Sequence, residues 1–473
     1  MYTNKAHPLY KEYLMHGLVA RWSTRADINN IADLMGRVHQ GSVDTPRNGR
    51  VMDQIYRHSR KDFPIAGTDV FAIIEDTTKE GNPVVACANL WEHQWSYGGI
   101  SLSVGQIEDV GTDSTYRNRG LVRTIIAMLH ARSEEKKHIL QVIGGIPYFY
   151  RQFGYEYALD LGGRRVTTLS RVPTLIERAT AQNGPQKNTI ALRPARSEDL
   201  SLIQQLYAQK CHANLIWAAP HIPTWQYGFD AWTKIESRGI SSVETGLTSR
   251  LYMITYRDPY HGDTKTIGYV SLASLRRGSD VSVYGLEFLP DINIQDMVAP
   301  LIAALHQYGQ ALPTSKSGVP TFEEISWILG RTHPFYDVLA DGLVSYQEPP
   351  YAWYVRLPDT LAFINHIALM FEQRLADSPF AGHTGSIGFN LYRERIYLGF
   401  EQGRLLHVDA KRPAQTSTLL EVGLPPFAFT QLLLGYRSLT QLRTIYPDVS
   451  YRVGDEVMID VLFPGQPSHV GIP

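Results

Sequence analysis

The chain has 473 residues, which at roughly 100–200 residues per domain suggests about three domains. Apolar residues make up 44% and charged ones 19%, so the composition is that of a globular protein and excludes a disordered chain. With 45 Lys+Arg against 46 Asp+Glu the net charge is −1, which gives no electrostatic reason to expect nucleic acid or a membrane as partner.

From the start, MYTNKAHPLYKEYLMHG lacks the basic flank and apolar run of a signal peptide, and a cytoplasmic protein is expected. Next, Arg21 ends a strand and Asp27 opens a helix with apolar Ile31 and Leu34. A hairpin follows, with strands Val70–Ile74 and Val84–Leu90 around the turn Glu80-Gly-Asn-Pro83. Trp91, His93, Trp95 and Tyr97 come after it. They read as core aromatics or as the wall of a pocket for a cationic amine.

The informative segment is Gln106-Ile-Glu108-Asp-Val110-Gly111-Thr112, then Tyr116-Arg117-Asn118-Arg119-Gly120-Leu121-Val122-Arg123, and a helix through Ala131. A strand runs into a basic, glycine-containing loop that opens a helix. Backbone N–H groups at a helix start lack intrahelical partners, and the macrodipole favours negative charge there. Gly120 lets the backbone approach a phosphate, and Arg117, Arg119 and Arg123 add positive charge. A strand (Ile139–Ile143) then precedes Phe149-Tyr150.

A polar stretch, Ala179–Asn188, reads as a linker, and beyond it the pattern repeats. Arg193–Leu206 matches Arg21–Leu34 as R-x5-D-x3-I-x2-L. Val298–His306 matches Val122–His130, and Phe335-Tyr336 matches Phe149-Tyr150. Three matches in the same order, about 170–190 residues apart, indicate a duplicated domain. Aligning Val122 with Val298 sets Asn293 opposite Arg117, Gln295 opposite Arg119 and Asp296 opposite Gly120. A carboxylate there repels a diphosphate, so only the first copy is expected to bind one.

After about residue 357 the pattern changes to a helix with Leu361, Ile364, Phe371 and Leu375 and strands at Ile387–Leu391, Ile396–Phe400 and Leu405–Val408. Helices at Phe427–Leu434 and Ser438–Arg443 and a last strand at Val457–Phe463 complete an α+β unit. Cys87 and Cys211 are too few for a disulfide scaffold, and the 16 histidines show no HExxH-like pair, so no metal is expected.

The segment Val110-x-Thr112-x3-Tyr116-Arg117-x-Arg119-Gly120-Leu121 resembles motif A of the GNAT acyltransferases, whose loop R/Q-x-x-G-x-G/A binds the pyrophosphate of acetyl-CoA. The resemblance puts Arg117, Gly120 and Val122 at the three motif positions. It implies that Val110, Gly111 and Thr112 face the pantetheine, while Asn118, Arg119, Gly120, Leu121, Val122 and Arg123 face the pyrophosphate. Val122 stands where a small residue is usual, and Ser114 where proline is common. Ile146-Pro-Tyr-Phe-Tyr150-Arg-Gln-Phe153-Gly154-Tyr155 is similar to the family's FY-x-x-x-G-[FY] element.

The whole layout resembles the enhanced-intracellular-survival type of acetyltransferase. The fold class this implies is α+β: tandem GNAT-like domains, each a mixed sheet flanked by helices (1–186 catalytic, 187–357 degenerate), then a sterol-carrier-protein-like domain (358–473). The resemblance implies acetyl transfer from acetyl-CoA, as co-substrate, to a small-molecule or peptide amine such as an aminoglycoside, a polyamine or a lysine side chain. It also implies a hexameric homo-oligomer. Tyr150 is then the general acid. The base is either the C-terminal carboxylate, here of Pro473, or Glu108 on the core strand. The other reading is a lipid- or acyl-binding carrier with a vestigial transferase domain.

Overall fold

The computed structural model describes residues 3–41, 45–65, 71–173, 189–238, 248–258, 262–314, 318, 321–339, 342–412 and 419–471. Two compact units emerge, and neither is continuous in sequence. One comprises Met1–Asp160, Asn214–Ala219 and Ala352–Ser468; the other comprises Leu161–Ala213, Pro220–Tyr351 and His469–Pro473. The linker expected at 179–188, and with it the boundary at 186/187, lies outside the described residues.

The main sheet of the first unit begins with β1 (Lys11–Tyr13) and β2 (Leu18–Trp22). Helices α1 (Ile28–Val38) and α2 (Gly49–His58) follow, then β3 (Phe71–Asp76), β4 (Val84–Tyr97) and β5 (Ile100–Thr112). Helix α3 (Leu121–Glu135), β6 (Leu140–Ile143) and β7 (Glu156–Leu161) complete this stretch. Strand β4 is longer than the sequence suggests: Trp91, His93, Trp95 and Tyr97 continue the strand instead of following it, paired antiparallel with Gln106 through Ile100 of β5.

The second sheet takes β8 (Arg164–Thr168), β9 (Ile190–Pro194), β11 (Ser249–Arg257), β12 (Thr264–Ala273), β13 (Asp280–Phe288), β14 (Glu324–Trp327) and β15 (Tyr346–Glu348). Its helices include α4 (Leu200–Cys211), α5 (Ile222–Arg238) and α6 (Ile294–Ala311). The short β10 (Ile216–Ala218) instead pairs with the end of β4 in the first sheet.

Strand exchange separates these sheets from a simple tandem. Strand β16 (Tyr351–Arg356), at the end of the second copy in sequence, lies between β6 and β7 in the first sheet, with Tyr354, Val355 and Arg356 opposite Ile143, Val142 and Gln141. Strand β8, near the end of the first copy, pairs with β14 and β15 in the second sheet. Each sheet therefore closes with a strand from the other half of the chain.

The R-x5-D repeat has a physical basis. In the first copy Arg21 Nη1 and Nη2 donate to Asp27 Oδ2 and Oδ1 at 2.8 and 2.7 Å; in the second, Arg193 makes the same two bonds to Asp199 at 2.7 Å each. In both, the aspartate also accepts from a backbone N–H three residues before it, so one carboxylate caps the helix start and ties it to a strand. The guanidinium holds the Asp27 and Asp199 carboxyls below the usual range against the effect of burial.

The C-terminal region of the first unit carries a four-stranded sheet, in which β17 (Gly385–Asn390), β18 (Arg395–Glu401), β19 (Arg404–Asp409) and β20 (Leu419–Gly423) run in the order β19-β18-β17-β20. The expected final strand at Val457–Phe463 is a helix, Asp455–Leu462. Gly454 in the left-handed region opens it, Asp455 and Glu456 suit its N-terminus, and Met458, Ile459 and Leu462 are its buried side. Tyr97 is core here: its hydroxyl donates to Leu433 O at 2.9 Å and its ring meets Phe363 edge-on.

Tyr354 on the exchanged strand is fully buried, stacks on Tyr157 at 4.1 Å and contacts the Tyr150 ring at 5.6 Å. Tyr354→Ala is expected to cost about 3–5 kcal/mol of stability, the usual range for removing a buried aromatic. Urea unfolding followed by tryptophan fluorescence measures it; a loss under 1 kcal/mol would remove the structural importance given to β16.

Candidate active site

The site is built on one irregularity of β5. Between the pairs Asn89↔Glu108 and Cys87↔Gly111, β4 uses one residue where β5 uses two, Asp109 and Val110. That is a β-bulge, and Asp109 sits in it at φ +52°. The Asp109 carboxylate holds this conformation: Oδ2 accepts from Asn89 Nδ2 at 2.7 Å and faces His58 Nδ1 of α2 at 3.2 Å. On its other side β5 pairs in parallel with β6 only from Val104 to Ile107. Glu108 to Thr112 then run on without a partner in β6, and the strands part.

Glu108, Tyr150 and the loop before α3 gather at this opening. Glu108 Oε1 accepts from Gln106 Nε2 at 2.6 Å, and burial pushes its carboxyl up to about 7, with the Asp109 charge adding to the effect. Tyr150 is 3% exposed, between the rings of Phe149 and Tyr354. Burial, helped by the nearby Glu108 charge, raises its phenol to about 12. Among the described residues its hydroxyl makes no hydrogen bond. Its counterpart Tyr336 differs: that hydroxyl donates to Trp327 O at 2.8 Å and accepts from Leu329 N at 3.0 Å.

The loop after β5 is anchored by Asp113, whose Oδ1 accepts from Thr115 N and whose other oxygen pairs with Arg37 of α1. Asn118 and Gly120 have φ of +62° and +76°, and Gly120 is the residue before α3, with open space where a Cβ would stand. Among the described residues the N–H groups of Asn118, Arg119, Gly120, Leu121 and Val122 have no acceptor, the helix bonds starting with Arg123 and Thr124 to Gly120 O. Alternating backbone hands of this kind turn N–H groups into one concavity suited to an anion. Arg117 and Arg119 are exposed beside it, and Arg123 donates to Gln152 Oε1 at 2.9 Å. Along the strand, Thr112 Oγ1 is buried and unpartnered. A diphosphate on these N–H groups and a polar chain along Glu108–Thr112 therefore fit the residues present.

The second copy has no such cradle. Helix α6 starts directly behind Asn293, whose Oδ1 accepts from Gln295 N and whose Nδ2 donates to Asp296 Oδ2 at 2.9 Å. Asp296 lies within the first helical turn, so a carboxylate and its own cap occupy the place of the open N–H groups.

Not every expected residue belongs to the site. Pro473 lies outside the described residues. Trp95 and Tyr97 are core, whereas Trp91 packs edge-on to His58 at 4.6 Å on the Glu108 side of the hairpin. Burial raises both thiols, Cys211 to about 12, so neither offers a thiolate at neutral pH. Sequence reading missed His58, Asn89 and Gln106. Only Gln106 left a trace, two residues before Glu108 and so on the same strand face.

Residues 20–158, which carry this site, match the family model described as an acetyltransferase (GNAT) domain. A search of curated proteins by sequence finds no match. Similar solved structures include a GCN5-related N-acetyltransferase from Kribbella flavida (17% identity, TM-score 0.60, covering 96% of this chain and 100% of that one). Another, from Anabaena variabilis, has 14% identity and a TM-score of 0.59 over 96% and 99% of the chains. Eis1 from Mycobacterium abscessus has 14% identity and a TM-score of 0.53 over the same shares. At such identities the likeness is one of fold, and it extends along nearly the whole chain. The protein thus carries an acetyltransferase domain of the GNAT class.

Gly120→Asp puts a carboxylate into the cradle at a positive φ. Acetyl-CoA affinity measured by calorimetry is expected to fall at least about tenfold, and Gly120→Ala, which adds strain but no charge, to fall less.

Proposed function

We propose that the protein is an N-acetyltransferase that moves an acetyl group directly from acetyl-CoA to a primary amine. The observation that carries this reading is the pairing, at the opening between β5 and β6, of a carboxyl raised to about 7 with a buried phenol raised to about 12. The first is suited to accept a proton near neutral pH, the second to keep one until it is needed.

Acetyl-CoA, when bound, supplies the activated thioester. The N–H groups of Asn118 to Val122 hold its diphosphate, and the unpaired edge from Glu108 to Thr112 lines its pantetheine. Glu108 takes the proton of the attacking amine. The backbone at the Asp109–Val110 bulge, removed from the ladder with β4, is available to donate to the developing oxyanion. As the nitrogen–carbon bond forms and the carbon–sulfur bond breaks, the Tyr150 hydroxyl gives its proton to the departing sulfur. Asp109, Asn89 and His58 keep the bulge in shape.

The rival base is the terminal carboxylate of Pro473. The acceptor class is an aminoglycoside, a polyamine or a lysine side chain. The capped α6 and the tied hydroxyl of Tyr336 support one cofactor site per chain. The sterol-carrier likeness of the C-terminal region, a cytoplasmic location and a hexameric assembly rest on family resemblance, and light scattering tests the last.

A thiol-release assay with acetyl-CoA against these amines tests the function, and no release with any of them would remove it. With an acceptor amine of low pKa, kcat/KM is expected to rise tenfold per pH unit and level off near pH 7, as Glu108 loses its proton. Glu108→Gln is expected to lower the plateau about 10²–10⁴-fold and abolish the inflection. If the inflection survives in Glu108→Gln but vanishes when Ile472 and Pro473 are removed, the tail carboxylate is the base.

A further inference from the structure

The phosphate loop has a second side. A hollow of about 920 Å³ lies between the β1–β2 turn, the β3–β4 turn and the start of α3. Its volume is within the range of pockets that hold a ligand of several rings and substituents. Buried Leu18 and Leu121 form part of its lining. Tyr116 forms a wall, fixed by its hydroxyl, which donates to Asp76 Oδ2 at 2.5 Å. The other Asp76 oxygen accepts from Thr78 Oγ1 at 2.6 Å, so this carboxylate is fully engaged.

Two cations gather on that wall. Lys79 Nζ stands 5.1 Å and the Arg119 guanidinium 4.9 Å from the centre of the Tyr116 ring. Arg119 is held there by a bond from Nη2 to Thr115 O at 3.1 Å. Among the described residues neither cation is within ion-pair distance of a carboxylate; Asp76 and Asp113 act on Lys79 only from farther away, each already bonded to other groups. Tyr13 (68% exposed) and Met15 (80% exposed) stand among the lining residues, a flat ring and a polarisable thioether of the kind that packs on aromatic bases. Arg119 belongs to both sites: its backbone N–H is part of the phosphate cradle and its guanidinium lines the hollow.

We propose that this hollow receives the nucleotide end of coenzyme A, with adenine against Tyr13 and Met15 and the ribose 3′-phosphate between Lys79 and Arg119. The proposal rests on the acyl-CoA reading of the site and adds to it a phosphate contact made by the β3–β4 turn. A monoester phosphate supplies the direct ion-pair partner that neither cation has among the described residues. Its linkage through one ribose to the diphosphate matches a hollow that borders the diphosphate cradle.

The test is calorimetric titration of the full chain with coenzyme A and with 3′-dephospho-coenzyme A at low salt. Wild type is expected to bind coenzyme A about two- to fivefold more tightly, within the range for one exposed charge contact. Lys79→Gln is expected to remove most of that preference while leaving the affinity for dephospho-coenzyme A within about 1.3-fold of wild type. Lys79 sits on an exposed turn, and a thermal melt checks that the variant is folded. Equal binding of both ligands by wild type, or an undiminished preference in Lys79→Gln, would overturn the proposal and leave the acyl-CoA site standing. Failure of wild type to bind either ligand would overturn both.

Discussion

Much of this molecule depends on one extra residue in β5. The bulge at Asp109–Val110 turns the strand's last residues out of register with β4 just where the pairing with β6 ends, at Ile107. A regular strand would keep its hydrogen-bonding groups inside the sheet. Here an edge is opened in the middle of a sheet, where both faces are covered and a bound chain can be shielded from water. The left-handed φ of Asp109 is a strain of order 1–3 kcal/mol, and the hydrogen bond from Asn89 and the contact with His58 hold it in place. The same carboxylate adds to the upward shift of Glu108, so backbone geometry and the proton affinity of a buried carboxyl are set by neighbouring residues of one strand.

Duplication has been used unequally. Both copies keep the Arg–Asp clamp at strand end and helix start, which serves only the fold. They part at the helix start after the core strand and at the tyrosine of the Phe-Tyr pair. In one, the helix start is left open and the tyrosine hydroxyl free of backbone partners. In the other, a side chain caps the helix and the tyrosine oxygen is bound on both sides by backbone. Donors and acceptors satisfied internally have nothing left to offer a ligand.

What could be read from the sequence follows the range of the interactions. Arg21 and Asp27, the glycine before α3 and the Phe-Tyr pair are local patterns, and they led to the duplicated fold and the loop. Glu108 was visible as a strand carboxylate, but its desolvation was not, because that depends on packing. The bulge leaves no mark in residue type. The last helix resembles a strand in sequence because Val457, Ile459 and Val461 alternate at period two; the signals that mark it as a helix are Gly454 and the acidic pair after it. The exchange of β8 and β16 was invisible, since periodicity identifies a strand but not its neighbour. His58 reaches the site from a helix about fifty residues away, with no local signature.

The exchanged strands also set an order on the making of the protein. During synthesis the chain emerges from its amino end, yet the first sheet cannot close until Tyr354 has been added, nearly two hundred residues after β7. Until then β6 and β7 present open edges, the usual template for wrong pairing. A fragment ending near residue 160 would contain the phosphate loop, Glu108 and Tyr150 and still lack the strand that fills the gap beside them. The centre of the first sheet is thus completed by a strand from the end of the second copy.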